Sequence, residues 1–177
     1  MRAYQPGMRF LIIAAFLLGS PAFAQNRAAG PRALGTFQSW TAATHTENGA
    51  KVCYAFARAA RTEGITGRNP QSISLLVTHR PNGRDQVAIR SGYTFARGAE
   101  LRLVIGQAEL PAYTSQDSAF LRDGRAAVTA MRGGREALAR APGPNGRGTA
   151  TDVFPLAGFT AAYEAISREC PPAAPRR

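Results

Sequence analysis

"LGTFQSWTAATHTENGAKVCYAFARA", residues 34–59, reads as two strands joined by a turn. Residues 37–44 and 51–58 flank "THTENGA", whose Asn48-Gly49 dipeptide is a hairpin signal. Trp40 and Tyr54 then stand on neighbouring strands, with Trp40 as a core anchor. The stretch also holds Cys53, one of two cysteines; the other is Cys170.

Working outward, residues 61–71 ("RTEGITGRNPQ") read as a long turn-rich loop. Residues 72–78 ("SISLLVT") read as a strand, "HRPNGRD" as a turn, and residues 86–93 as its alternating partner, with Val87, Ile89 and Tyr93 on compatible faces. Leu101, Leu103 and Ile105 alternate on a further strand, which turns near Gly106-Gln107 into "AELPAYT". The period then changes. Asp123 caps a short helix over residues 124–131, closed by Gly133-Gly134. "REALARA" fits helix or strand, and "TATDVFPL" reads as a strand. Residues 158–169 form the clearest helix: Phe159, Tyr163, Ile166 and Cys170 share one face, and Pro171-Pro172 stops it. The expected fold is α+β, mostly antiparallel β (a sandwich or one curved sheet), with a short helix and a C-terminal helix packed against it.

Before this core lies an export signal. Arg2 and Arg9 precede and flank "FLIIAAFLL", and "GSPAFA" follows with Ala22 and Ala24 at the small-residue positions. This is the layout of a cleavable signal peptide over residues 1–24, with cleavage between Ala24 and Gln25. The apolar run is shorter than the ~20 residues that span a bilayer. Residues 25–33 read as a flexible leader, residues 34–170 as one domain, and residues 171–177 as a loose tail. Periplasmic localisation is expected, with outer-membrane association or secretion as variants. In an oxidising compartment Cys53 and Cys170 can close one intramolecular bridge, worth roughly 4–5 kcal/mol at most for so long a loop. Two free thiols or an intermolecular bridge are the alternatives.

The chemistry of sites is sparse. His79 lies near Asp85 across the second hairpin and serines are plentiful, but no nucleophile elbow accompanies them; His79 is read as a surface residue at a strand end. His45 falls in a turn-rich stretch. The histidines and cysteines show no paired metal-ligand spacing, and no phosphate or dinucleotide loop is present. No catalytic residue, metal ligand or cofactor site is assigned. What stands out is charge: 22 Lys and Arg against 11 Asp and Glu, a formal net charge of +11, with Lys51 the single lysine. Such a chain is drawn to anionic surfaces. Arg122, Arg125, Arg132 and Arg135 around the short helix are the candidate anion-binding stripe, facing an anionic envelope component or an envelope protein, with peripheral membrane association included. Nucleic acid is not an expected partner, since no recognition motif is present. An exported hydrolase with a divergent His/Asp/Ser site is the competing reading.

Taken together, "LGTFQSWTA", "KVCYAFARA", "SLLVTHRP", "QVAIRSGY", "TSQDSAFLRDGRAAVTAMRGG" and "GTATDVFPLAGFTAAYEAISREC" resemble the invasion-associated locus B family of exported bacterial proteins. The resemblance covers residues 34–170 and implies a periplasmic or envelope-associated protein with one structural disulfide. Its structural residues map onto Trp40, Cys53, Tyr54, Phe159 and Cys170. The family supplies no agreed catalytic motif. Its founding members are linked to host-cell invasion, which the resemblance alone does not extend to this chain.

Overall fold

The computed structural model describes residues 30–173. The signal-peptide reading lies outside these residues. Eleven strands form one continuous antiparallel sheet: β1 (Arg32–Phe37), β2 (Trp40–Glu47), β3 (Ala50–Arg58), β4 (Arg61–Glu63), β5 (Ser74–Arg80), β6 (Gly83–Arg90), β7 (Glu100–Ile105), β8 (Ala108–Ser115), β9 (Ser118–Leu121), β10 (Glu136–Pro142) and β11 (Thr149–Pro155). Two α-helices accompany it, α1 (Gly124–Gly133) and α2 (Phe159–Glu169). The fold is therefore the mostly antiparallel α+β arrangement expected, with the curved sheet in place of the sandwich.

The strand order is β1-β2-β3-β5-β6-β9-β8-β7-β10-β11-β4. The curl follows from how β3 continues. Ala59 N–H still bonds to Ile73, but Ala60 N–H bonds to Val153 of β11, and β4 then pairs with β11. The eight strands from β3 to β11 thus come round to meet β3 again, in a barrel-like ring. Its inner face can be followed from partner to partner: Ala55 opposite Val77, Val77 opposite Val87, and, further round, Leu103 opposite Ala139 and Ala139 opposite Asp152. Many inward positions are alanine, and a ring this small has an interior just wide enough for side chains to fill. The volume they leave is taken by Trp40, Phe154 and Phe159, each fully buried.

Helix α2 closes one end. The Trp40 and Phe159 rings meet edge to face at 4.9 Å, and the indole N–H donates to the Pro155 carbonyl at 2.9 Å. Cys53 and Cys170 are joined in a disulfide with their Cα atoms 6.0 Å apart, which fastens the end of α2 to β3. The other end is closed by charge. Arg68 donates to both Asp152 carboxylate oxygens (2.6 and 2.8 Å), to Thr62 and to the Ser91 carbonyl, and its guanidinium lies 4.9 Å over the Tyr93 ring. Both charged side chains are buried.

Several expectations need correction. The strand read over residues 37–44 is interrupted by a turn at Gln38-Ser39, where Gln38 takes a positive φ, so β1 and β2 form a further hairpin. β1 begins at Arg32, inside the segment read as leader. The loop of residues 61–71 contains β4, and "REALARA" is strand β10. β9 is a strand that the sequence reading does not include. β6 ends at Arg90, so Tyr93 is not in it. The Asp123 cap of α1 is present, its carboxylate accepting from Ala126 N–H at 2.9 Å, but the helix runs on to Gly133, two residues past Met131, and Gly134 after it is extended rather than left-handed.

Candidate functional site

Two places on this scaffold concentrate chemistry: the hydrogen-bonded cluster around His79, and the outer face of strands β3, β5, β6, β9 and β8.

His79 is not a surface residue; it is fully buried. Leu75, Val77 and His79 alternate on the inward face of β5, and His79 pairs with Cys53 in the register. A bulge between Thr78 and Arg80 gives Asp85 a positive φ of 54°. That turn aims the Asp85 N–H at His79 Nδ1 (3.3 Å) and lets its carboxylate accept from the Tyr163 hydroxyl (2.7 Å). The other ring nitrogen, Nε2, lies 3.2 Å from Ser167 Oγ. Sequence reasoning set His79 near Asp85; the helix that adds Ser167 is a tertiary contact.

This has the membership of a Ser/His/Asp triad but the wrong protonation. A triad base needs its proton on Nδ1, bonded to the carboxylate, with Nε2 free to accept from serine. Here Nδ1 already accepts a backbone N–H, and the Asp85 carboxylate is 3.8 Å away. The contact from Asp85 N–H favours the tautomer with its proton on Nε2, facing Ser167. Arg84 also donates to Ser167 Oγ at 3.2 Å and to the Cys170 carbonyl. Ser167 sits within α2, whose backbone N–H groups are spent on the helical ladder rather than on an oxyanion. Burial, and secondarily the Arg84 charge, push the His79 pKa down from 6.5 to about 4, against a smaller opposing pull from Asp85. With its histidine neutral, the cluster is a hydrogen-bonded clasp between the β5–β6 hairpin and α2.

The outer face is organised differently. Phe56, Leu76, Ala88, Phe120 and Tyr113 are successive direct partners across five strands. Tyr54 stacks on Phe56 (6.2 Å between centroids, 24° between planes), and Tyr113 stacks on Phe120 (5.4 Å, 25°). Each pair carries an arginine: Arg58 lies 5.4 Å over Phe56, and Arg122 lies 5.9 Å over Tyr113. Between these two aromatic–arginine stacks, Leu76 and Ala88 form a low floor. Clefts of about 740 and 660 Å³ lie over this face and share Leu76. Tyr113 and Phe120 are the exposed large hydrophobic side chains among the described residues, at 48% and 36%.

Among the expected site residues, Trp40, Cys53 and Phe159 are buried, and Cys170 is partly buried at its disulfide. Tyr54 is half-buried on the outer face instead, because it follows Cys53 by one residue and the strand alternates. Arg122, Arg125, Arg132 and Arg135 are all exposed. They do not act alike: Arg122 pairs with Glu100 at 3.4 Å as well as covering Tyr113, while Arg132 lies 4.6 Å over Tyr163 at the α1–α2 seam. Among the described residues no cluster of three or more metal-ligating side chains occurs. The outer-face row was not found from sequence, because its members are brought together by strand order alone.

A family model described as "Invasion associated locus B (IalB) protein" matches residues 40–167. The crystal structure of invasion associated protein b from Bartonella henselae has a TM-score of 0.53 to this fold, covering 76% of this chain and 95% of that one at 16% identity. At that identity the likeness is one of fold. No curated protein matches the sequence.

Proposed function

This chain belongs to the invasion associated locus B family, and from that premise we propose that it is a non-catalytic protein of the bacterial envelope that binds an anionic partner through its outer sheet face. The observation that carries the reading is the pair of aromatic–arginine stacks. A guanidinium resting on a ring is already oriented, so less freedom is lost when it forms a bidentate pair with a carboxylate or phosphate. The His79 tautomer supports a role without catalysis. Export to the periplasm, by cleavage between Ala24 and Gln25, puts the chain where Cys53 and Cys170 oxidise and where anionic lipids, glycans and proteins are present. Host-cell invasion belongs to the name of the family and of the Bartonella relative; here it is a hypothesis to be tested by deletion in the source bacterium.

The test is binding of the mature protein to isolated envelopes over a salt series. Arg58→Glu/Arg122→Glu should bind at least about five-fold more weakly, with an unchanged circular dichroism spectrum, and wild-type binding should fall as salt screens exposed charge beyond ~8 Å. Arg125→Glu/Arg132→Glu tests the α1 arginines separately. If the outer-face variant matches wild type while the α1 variant fails, the binding face is α1; indifference of both to salt and substitution would remove the anionic-partner reading.

A further inference from the structure

Strands β5 and β6 lie inside the sheet, each paired on both sides. Their backbone donors and acceptors are committed to the ladder. A partner cannot extend the sheet here by adding a strand, so it must dock through side chains.

Register fixes the width of the trough. Phe56 on β3 and Phe120 on β9 are three strands apart, with Leu76 and Ala88 between them, so the two aromatic stacks stand about 14 Å apart. An α-helix with its side chains is about 10–12 Å across and fits this width. Charge fixes the ends. Arg58 follows Phe56 by two residues and Arg122 follows Phe120 by two, and β3 and β9 run in opposite directions because three antiparallel pairings separate them. The two arginines therefore mark opposite ends of the trough, about 13 Å apart along the strands. That is the rise of about nine helical residues. Arg90 stands in the same cross-strand row as Arg58, through Ser74, but is paired with Asp117 at 3.0 Å, so the charge offered at that end is that of Arg58.

We propose that the trough between the two aromatic–arginine stacks is the docking site for an amphipathic α-helix of a partner protein. The helix lies along β5 and β6. It sets small apolar residues on the Leu76–Ala88 floor and carries acidic residues in its first and last turns, facing Arg122 and Arg58. This deepens the outer-face reading and rests on it.

The probe is a capped 18-residue synthetic peptide with Ala and Leu on one face and Glu in both terminal turns. Its controls are the same peptide with a central Pro, the same peptide with Glu replaced by Lys, and vesicles containing phosphatidylglycerol. Binding to the full mature chain is read by fluorescence anisotropy and by amide shifts in β5 and β6. The intact acidic helix should bind at least ten-fold more tightly than either peptide control. Phe120→Ser and Ala88→Arg, both on the outer face, should each lose at least ten-fold, with folding checked by circular dichroism. Equal binding of the Pro-broken peptide, or no peptide binding at all, overturns the helix site. Vesicle binding that fails in Arg58→Glu/Arg122→Glu, without peptide binding, would keep the outer-face reading and discard the helix. Loss of neither kind of binding in that variant would discard both.

Discussion

Burial of the His79 ring, and after it the nearby Arg84 charge, lowers the histidine pKa from 6.5 to about 4. The consequence for stability follows from where the proton goes. Above pH 6.5 the ring is neutral in both the folded and unfolded chain, so the clasp is fully present. As pH falls from 6.5 towards 4, the unfolded chain takes up a proton that the folded one refuses, and stability declines. Below about 4 both states are protonated and this loss levels off. The whole shift is worth about 3 kcal/mol. In urea unfolding, the difference between wild type and His79→Gln should therefore shrink as pH is lowered through this window. Direct titration of the ring by NMR should give a midpoint near 4; a midpoint near 6.5 would mean the ring reaches water. The parity that buries His79 is present in the sequence: Leu75 and Val77 point inward, and His79 is the next residue on that face. Its partner Ser167 is 88 residues away and is found only by folding α2 onto β5.

Elements were legible where side-chain period and local turn chemistry agreed. The Asn48-Gly49 hairpin, the Asp123 cap and the apolar face of α2 each have both. β10 had conflicting signals: Glu, Ala, Leu and Arg favour helices, but Ala137, Ala139 and Ala141 alternate inward and the sheet decides. β4 and β9 have three and four residues, too few to establish a period, and they exist because neighbouring strands offer them a ladder. The curled sheet over the sandwich was set by the Ala59-Ala60 step from one partner strand to another, which leaves no local mark. The start of α2 makes an element-scale prediction. Gly158 precedes the helix with φ at 89°, and a Cβ there would overlap the carbonyl oxygen of Phe37. Gly158→Ala should destabilise by at least about 1–2 kcal/mol from backbone strain alone, read as a shifted urea midpoint. An unshifted midpoint would mean that residue 158 is not held in the left-handed conformation.

At the scale of the whole molecule, the ring of strands is fastened at opposite ends by two unlike devices. The Cys53–Cys170 bridge lies at the end of β5 marked by His79, and it constrains a sequence separation of 117 residues. The Arg68–Asp152 pair lies at the other end, where Arg68 also holds the Ser91 carbonyl, next to Arg90, the partner of Ser74. His79 and Ser74 are five residues apart on β5, so the fastenings are separated by about 17 Å. The bridge acts mainly by restricting the unfolded chain, and its removal in Cys170→Ser should cost about 2–5 kcal/mol. The ion pair acts in the folded state. Asp152→Asn leaves the Arg68 guanidinium buried without its counter-charge, which typically costs about 3–5 kcal/mol. Sites this far apart, with no shared partners, add to within about 0.5 kcal/mol when they belong to one cooperative unit. The continuous ladder from β3 round to β11 makes the described domain such a unit. Urea unfolding of the wild type, the two single variants and the double variant should therefore give one transition each, with the double variant's loss equal to the sum of the singles. Should the double variant prove too unstable to fold, the same comparison holds with Cys170→Ser and Thr62→Ala, which removes a single bond to Arg68. Two transitions, or a double loss well short of the sum, would show that the α2 end and the Arg68 end unfold as separate halves.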